Sequence, residues 1–234
     1  MEIHAPEGHV QSARDVLIHL GIVTIGILIA LSLEQTVEWY HHRELAIEAR
    51  ENVLSEIQDN KKELESEVSL LTGFNADARQ VFDFVSDMLE RGKSDIKTLR
   101  LRKYEPKLNA TSWSTAQAIG AINYMPYGDV KRYAAVYRKQ EDYLAAYSRS
   151  EEAILQSAGV FSVGRKLDSF SHAEMEAERG RLMTVVAALT IQLQQGQALT
   201  RVYDNILSGR PIDFRPVDAK APAAGTGTNH KKEK

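Results

Sequence analysis

The sequence predicts an all-α protein. One amino-terminal transmembrane helix continues into a long heptad-patterned helix, which packs with further helices in an antiparallel three- to four-helix bundle. Three observations predict this fold: an apolar stretch near the amino terminus, apolar residues recurring beyond it at alternating steps of three and four, and two later segments with the same period. The predicted divisions are a tail at 1–15, a transmembrane helix at 16–33, a bundle at 34–209 and a disordered tail at 210–234.

The apolar stretch from Val16 to Leu33 contains 18 residues without a full charge. As a helix it would extend roughly 27 Å at about 1.5 Å per residue, close to the thickness of a hydrocarbon core. Its apolar side chains cover every direction around the axis, whereas a buried soluble helix usually keeps one polar face. Trp39 and Tyr40 follow where an interfacial aromatic belt would lie. The stretch therefore predicts a membrane-spanning helix.

A cleaved signal peptide is the alternative interpretation, because Ala30, Leu31 and Ser32 have the small-x-small character of a cleavage site. Secretory signals normally begin with a basic region. Residues 1–15 instead hold three acidic residues and one basic residue, Arg14. This composition favours an anchor that is not cleaved.

Basic residues near the span do not decide its orientation, because Arg14 precedes it and Arg43 follows it. A short tail followed by a large domain is typical of a signal anchor. This arrangement predicts a single-pass protein whose carboxyl-terminal domain is extracytoplasmic.

The stretch "HAPEGHVQSARDVLIHLGIVTIGILIALSLEQTVEWYHHRELA" resembles the amino-terminal signature of a group of uncharacterised bacterial single-pass membrane proteins. The resemblance covers roughly residues 4–50, with a weaker likeness in "SWSTAQAIGAINYMPYGDVKRYAAVY". It implies location in the bacterial inner membrane and an anchor followed by a helical domain. It supplies no activity, substrate or catalytic residue.

Beyond the span, a heptad seam predicts a long helix in which Gly73 causes at most a mild bend. The predicted seam consists of Ile47, Arg50, Leu54, Ile57, Lys61, Leu64, Val68, Leu71, Asn75, Ala78, Phe82, Val85 and Leu89. The charged residues beside it are interpreted as a solvated outer face. They are Glu51, Glu56, Asp59, Lys62, Glu63, Glu65 and Glu67.

The later segments are punctuated by glycine and proline. Residues 92–110 lose the helical period and are locally basic, which predicts a connection across one end of the bundle. Small residues at Ser112, Ala116 and Gly120 share one face and predict close packing, with a pocket floor as the alternative. A third helix is predicted from about Pro126 to Gly159.

The fourth helix is predicted to begin at a capping box formed by Ser171 and Glu174 and to end near Ser208. Its apolar patch is too short to cross a bilayer, so the sequence predicts one crossing. Six of the nine tyrosines lie between positions 124 and 147. They are interpreted as rings packed in the bundle, with a ligand-binding aromatic cluster as the alternative.

Candidate residues for chemistry are few, and the sequence predicts no catalytic site, no cofactor and no metal. Glu38 places a carboxylate one turn before His41 and His42, but a carboxylate-bridged metal site needs two such pairs. His19 is ionisable but lies within one turn of the start of the span, where it can reach the interface. The absence of cysteine excludes disulfides and thiolate ligands.

The function predicted from these features is a membrane-anchored structural or protein-interaction module rather than an enzyme. The alternative is a ligand-sensing extracytoplasmic bundle lined by the tyrosine-rich third helix. Expected partners are the lipid bilayer, unidentified proteins and a second copy of the chain packed through Gly26 and Ala30. A formal charge of -3, from 29 basic and 32 acidic residues, argues against nucleic acid.

Overall fold

The computed structural model of the protein describes residues 12–94, 105–161 and 170–212. Their regular structure is entirely helical, which confirms the predicted all-α class. The elements are α1 (Ala13–Arg91), α2 (Thr111–Ala118), a 3-10 helix (Ala121–Tyr124), α3 (Tyr127–Phe161) and α4 (His172–Leu207). Most of both predicted tails, 1–15 and 210–234, and residues 95–104 of the basic connection lie outside the described residues.

Helix α1 is unbroken over 79 residues, about 118 Å at about 1.5 Å per residue. The Ser12 side chain caps its first turn by accepting a hydrogen bond from the backbone N–H of Arg14. It passes through Gly73 without interruption and ends at Gly92, whose φ of 66° is the left-handed conformation that glycine adopts at little cost. The predicted continuous helix is confirmed.

The shorter boundaries follow local sequence signals. Helix α3 begins directly after Pro126, which has no N–H to lose in a first turn. At the start of α4 the Ser171 hydroxyl accepts from the Glu174 N–H, and the Glu174 carboxylate accepts from the Ser171 N–H at 2.8 Å. The predicted capping box is therefore confirmed, and Ser208 is the carboxyl-terminal cap of α4.

The helix directions differ in part from the predicted antiparallel bundle. Helix α4 is antiparallel to α1, because Lys61 pairs with Asp204 while Asn75 bonds to Thr190, earlier in α4. Helix α3 instead runs parallel to α1. Contacts along it advance together, from Glu56 with Tyr137 to Glu67 with Tyr143.

The parallel direction arises because the chain returns along the side of the bundle between α1 and α3. Within this return segment, 105–110, the Asn109 carbonyl accepts from Asn60 Nδ2 at 2.7 Å and from Gln140 Nε2 at 2.9 Å. The Asn109 N–H donates to Asn60 Oδ1 at 2.8 Å. The return segment therefore separates α1 from α3, while α4 packs closely against both. The predicted connection across one end is wrong for this part of the chain.

The fully buried face of α1 coincides with the predicted seam at six positions and differs at the others. Both lines contain Ile57, Leu64, Leu71, Asn75, Ala78 and Val85. Between them the structure buries Asn60, Glu67 and Val81, each one residue before the predicted Lys61, Val68 and Phe82. Adjacent residues lie about 100° apart on a helix, so the fully buried line runs one residue from the predicted one at these positions. The predicted Val68 and Phe82 still pack against the core as partly buried side chains.

Candidate functional site

The amino-terminal half of α1 is apolar yet exposed in the isolated chain. Among the described residues, α1 alone is long and apolar enough to cross a membrane, judged by length and composition. Its most apolar window of 18 residues has a mean hydropathy of 2.6, and none of it is buried inside the protein. The first buried residue of α1 is Ala46. This apolar window is therefore not buried against any other part of the described chain.

The polar side chains within the apolar stretch bond to the backbone of α1 itself. Each contacts the carbonyl one turn earlier: His19 that of Asp15 at 2.9 Å, Thr24 that of Leu20 at 2.8 Å, and Ser32 that of Leu28 at 2.7 Å. A hydroxyl satisfied within the helix requires neither water nor a protein partner. The intervals between these groups are purely apolar.

The bundle interior contains polar contacts that connect different elements. Glu56 Oε1 accepts from the Tyr137 hydroxyl at 2.6 Å, and Glu56 Oε2 accepts from the Ser112 N–H at 2.8 Å. Buried Glu67 accepts from the Lys107 N–H at 2.9 Å and from the Tyr143 hydroxyl at 3.5 Å. The prediction that Glu56 and Glu67 lie on a solvated outer face is therefore wrong. The Glu56 carboxylate holds α2 and α3 against α1, and the Glu67 carboxylate holds the return segment against α1.

A second contact layer centres on Gln140, which is buried. Its Oε1 accepts from the Tyr203 hydroxyl at 2.6 Å and from Asn60 Nδ2 at 3.2 Å. Through its bond to Asn109, this one side chain connects α1, α3, α4 and the return segment. Farther along α3 and α4, buried Ser150 donates to Gln192 at 2.6 Å. Polar layers thus recur along the core.

The last layer brings buried Glu178 together with Ser157 and Arg181. The Ser157 hydroxyl and the Arg181 guanidinium both donate to the Glu178 carboxylate, the latter at 2.7 Å. A buried charge requires such partners. Each of these layers pairs polar groups of different elements, although Gln192 Nε2 is buried without a partner. The pairing aligns the helices.

The tyrosines predicted in α3 divide between core and surface. Tyr133, Tyr137 and Tyr143 are buried, as the packing interpretation predicts. Trp113 of α2 stacks on Tyr137 with the ring centres 5.7 Å apart and the planes at 6°. Tyr127 lies exposed at the start of α3.

Burial controls the acidity of the core phenols. Desolvation, reinforced by the Glu56 carboxylate, raises the pKa of Tyr137 well above its usual value. Desolvation also raises the pKa of Tyr203, with the negative charge of Glu67 adding to it. These hydroxyls consequently stay neutral and act as hydrogen-bond donors.

A half-open cleft of about 280 Å³ lies between α1 and α2. It includes two of the three small residues expected to share a face, Ser112 and Ala116. Its lining is Leu45, Glu48, Ala49, Asn52, Thr111, Ser112, Thr115, Ala116 and Ile119. The cleft combines apolar walls with a carboxylate, an amide and hydroxyls, but the α3 tyrosines do not line it.

The candidate metal residues lie where α1 enters the bundle. His42 Nε2 is 3.9 Å from the Glu38 carboxylate, and the His42 ring stacks on Tyr124 with centres 3.8 Å apart. His41 is exposed beside them. In the described ranges no group of three or more His, Cys, Asp or Glu side chains could hold a metal ion. The contact of His42 with Tyr124 attaches the 3-10 helix to α1.

Comparison of the chain with protein-family models, curated protein sequences and solved structures finds no match in any of the three. The polar layers were not found by sequence reasoning, although Asn60, Gln140 and Gln192 at core-facing heptad positions were the available signal.

Proposed function

We propose that the protein is a membrane-tethered structural or protein-interaction module. In this proposal the first half of α1 crosses the bilayer, and its second half carries a helical bundle that presents its surface to protein partners. One observation supports the tether above all: the apolar window of α1 is wholly exposed, whereas the same helix is regularly buried from Ala46 onward. Exposed apolar surface of this extent is stable in a hydrocarbon environment.

Extraction of membranes with alkaline carbonate tests the tether. Full-length protein should remain in the pellet. Ile25→Arg with Leu28→Arg should release it, because each arginine costs about 3 kcal/mol near the centre of a spanning helix. Leu155→Arg with Met183→Arg is the matched control, since these residues are equally exposed but lie on the bundle. Retention of the Ile25/Leu28 variant in the pellet would refute the tether.

The orientation is part of the same proposal: the bundle lies outside the cytoplasm of a bacterial cell, anchored in the inner membrane. Alkaline phosphatase fused after Ser208 should be active in a bacterial host, and a cytoplasmic fluorescent reporter at the same point should be dark. A bright reporter with inactive phosphatase would reverse the orientation without affecting the tether.

A second copy of the chain is the proposed partner within the membrane. Gly26 and Ala30 lie one turn apart, and a Cβ added to Gly26 would meet nothing within 4 Å. Small residues let two spanning helices approach closely. In a membrane two-hybrid assay, residues 12–42 should associate, and Gly26→Ile with Ala30→Ile should abolish the signal. Gly21→Ile, equally unobstructed but on another face, should retain it.

A ligand-sensing bundle is the second candidate, favoured by the cleft between α1 and α2. Its volume of about 280 Å³ suits a small polar metabolite better than a drug-sized molecule. Thermal-shift screening should identify a metabolite that stabilises the wild type but not Thr115→Trp, which fills the cleft from an exposed lining position. Equal stabilisation of both proteins would place the ligand elsewhere.

A further inference from the structure

A stripe of exposed side chains runs along α1 from the span toward the bundle. Its members follow one another at alternating steps of four and three residues, the spacing that keeps one face of a helix in line. We call them the exposed stripe: Gly26, Ala30, Leu33, Val37, Tyr40, Glu44 and Ile47. Its four large apolar side chains are between 46% and 68% exposed. A continuous exposed apolar face of this kind marks an interaction surface.

The exposed stripe lies on the side of α1 that faces away from the bundle. Adjacent residues are about 100° apart on a helix, so residues nine positions apart lie on opposite sides. Buried Ala46 and Ala49 follow Val37 and Tyr40 by nine residues each. The contact of α1 with the 3-10 helix is made by His42, which is not a member of the stripe. A second helix therefore fits along the stripe while the bundle occupies the other side of α1.

Lipid covers only the lower part of the exposed stripe. In the proposed tether the span ends at Leu33, so Tyr40 stands about 10 Å and Ile47 about 21 Å beyond it along the helix. The headgroup layer extends only about 5–8 Å beyond the hydrocarbon core. Both side chains are also exposed beside the bundle. The upper part of the stripe leaves water only if another protein chain covers it.

The charges beside the exposed stripe suit a second copy of the same helix. Tyr40 and Ile47 take the d position of a heptad and Glu44 the a position. Arg43 then falls at g and Glu48 at e. In a parallel coiled coil these positions pair between helices, so Arg43 of each copy meets Glu48 of the other. The hole that receives Glu44, the one charged member of the stripe, includes Arg43 of the second copy.

We propose that the exposed stripe is the interface with a second copy of the chain. The two α1 helices form a parallel coiled coil that continues out of the bilayer as far as Ile47, with the two bundles on opposite sides of the pair. The inference rests on the proposed tether and extends the proposed contact of Gly26 and Ala30 beyond the membrane. Both copies enter one bilayer in one orientation, which makes the pair parallel. Left-handed crossing at about 20° is common to spanning helices and coiled coils, so one geometry serves the whole stripe.

Disulfide cross-linking tests this interface in the full-length chain. The protein has no cysteine, so in phosphatidylcholine vesicles containing only this protein an introduced cysteine can pair only with that of a second copy. Tyr40→Cys and Ile47→Cys are compared with Glu38→Cys, which is exposed at nearly the same height but lies about 160° from Tyr40 around the helix. Each rate of oxidation to the dimer is divided by the alkylation rate of the same thiol. We expect positions 40 and 47 to form the dimer at least fivefold faster than position 38.

The outcomes distinguish this interface from the tether. The vesicles are first washed with alkaline carbonate, and loss of the protein in that wash would mean that the tether itself fails. If the protein stays but positions 40 and 47 react no faster than position 38, the interface is overturned and the tether stands. Association of residues 12–42 in the two-hybrid assay without fast cross-linking at position 40 would confine the contact to the membrane, which also overturns the proposal.

A charge reversal tests the predicted ion pairs. In the Tyr40→Cys chain, Arg43→Glu should lower the rate of dimer formation at least threefold, because it places like charges opposite each other. Adding Glu48→Arg should restore the rate, since the pairs form again with reversed polarity. Lys62→Glu, an exposed charge on α1 beyond the stripe, is the matched control and should leave the rate unchanged. A double variant no faster than Arg43→Glu alone would overturn the proposed pairing of the two helices.

Discussion

The two halves of α1 share one backbone and have opposite surroundings. Residues 13–45 contain no buried position, and their hydroxyls bond to carbonyls one turn earlier. Residues 46–91 are buried at heptad spacing, and polar groups such as Asn60 and Glu67 bond to other elements. The backbone hydrogen bonds are equivalent, so the side-chain pattern alone leaves the apolar window of one half exposed and gives the other half protein partners.

This contrast shows how a core can contain polar groups without losing stability. In the bundle half, Asn60 and Glu67 replace bonds to water by bonds to α3 and to the return segment, which offsets their desolvation. In the exposed apolar window no other helix packs against α1, and the few hydroxyls are satisfied locally. The same helix therefore uses long-range polar contacts only where partners exist to complete them.

The largest expected effect on stability comes from a charge placed at a buried position in the bundle half of α1. Leu71→Asp should lower the free energy of unfolding by at least about 4 kcal/mol, because a buried side chain is replaced by an unpaired charge. Urea unfolding is followed by the fluorescence of buried Trp113 in a Trp39→Phe background. Leu70→Asp, adjacent but 48% exposed, should cost less than about 1 kcal/mol. Equal losses of unfolding free energy in the two variants would contradict the assignment of Leu71 to the buried face of α1.

The polar layers are tested by Gln140→Leu, which removes partners of Asn60, Asn109 and Tyr203. Buried groups left without partners should lower the free energy of unfolding by about 2–4 kcal/mol. Gln156→Leu, on the exposed face of the same helix, should change it by less than about 0.5 kcal/mol. A neutral Gln140 variant would show that water replaces the lost bonds.

Alkaline pH should weaken the bundle through its core tyrosines. Because the folded pKa of Tyr137 is raised, the folded state retains a proton that the unfolded chain loses above about pH 10. Stability is therefore full below pH 10 and falls above it by about 1.4 kcal/mol per pH unit for each such tyrosine. Tyr137→Phe should reduce the slope by that amount, and exposed Tyr127→Phe should leave it unchanged. Identical slopes for both variants would contradict the burial effect.

The smallest expected effects on stability come from replacing two glycines of α4 by alanine. A Cβ on Gly196 would lie 2.9 Å from Val68 Cγ2 and 3.1 Å from Tyr143 Cε2. Gly196→Ala should therefore destabilise the bundle by about 1–2 kcal/mol through overpacking. Gly180 meets nothing within 4 Å, so Gly180→Ala should stabilise it by about 0.5–1 kcal/mol through helix propensity. Thermal unfolding measures the stability change of both variants. If both substitutions changed stability in the same direction, α4 would approach α1 less closely than described.

Local signals allowed several elements to be predicted from the sequence. The start of α3 after Pro126, the capping box at Ser171 and the end of α4 at Ser208 each depend on one residue and its near neighbours. Such signals act within about a turn of the chain and survive in any tertiary arrangement. The proposed tether also depends on local sequence signals, since Trp39 and Tyr40 can be identified directly after the apolar stretch.

The sequence by itself determined the helical period, the helix ends and the 18-residue stretch without a full charge, because these depend on neighbours along the chain. Only the tertiary structure decided that α3 runs parallel to α1, that Glu67 is fully buried while neighbouring Val68 is only partly buried, and that Tyr124 and Tyr127 lie at the end where α1 emerges. Adjacent helix positions differ by about 100°, so which of two is buried depends on the partner helix. That partner is supplied by distant residues, whose bonds outweigh the local preference for an apolar side chain.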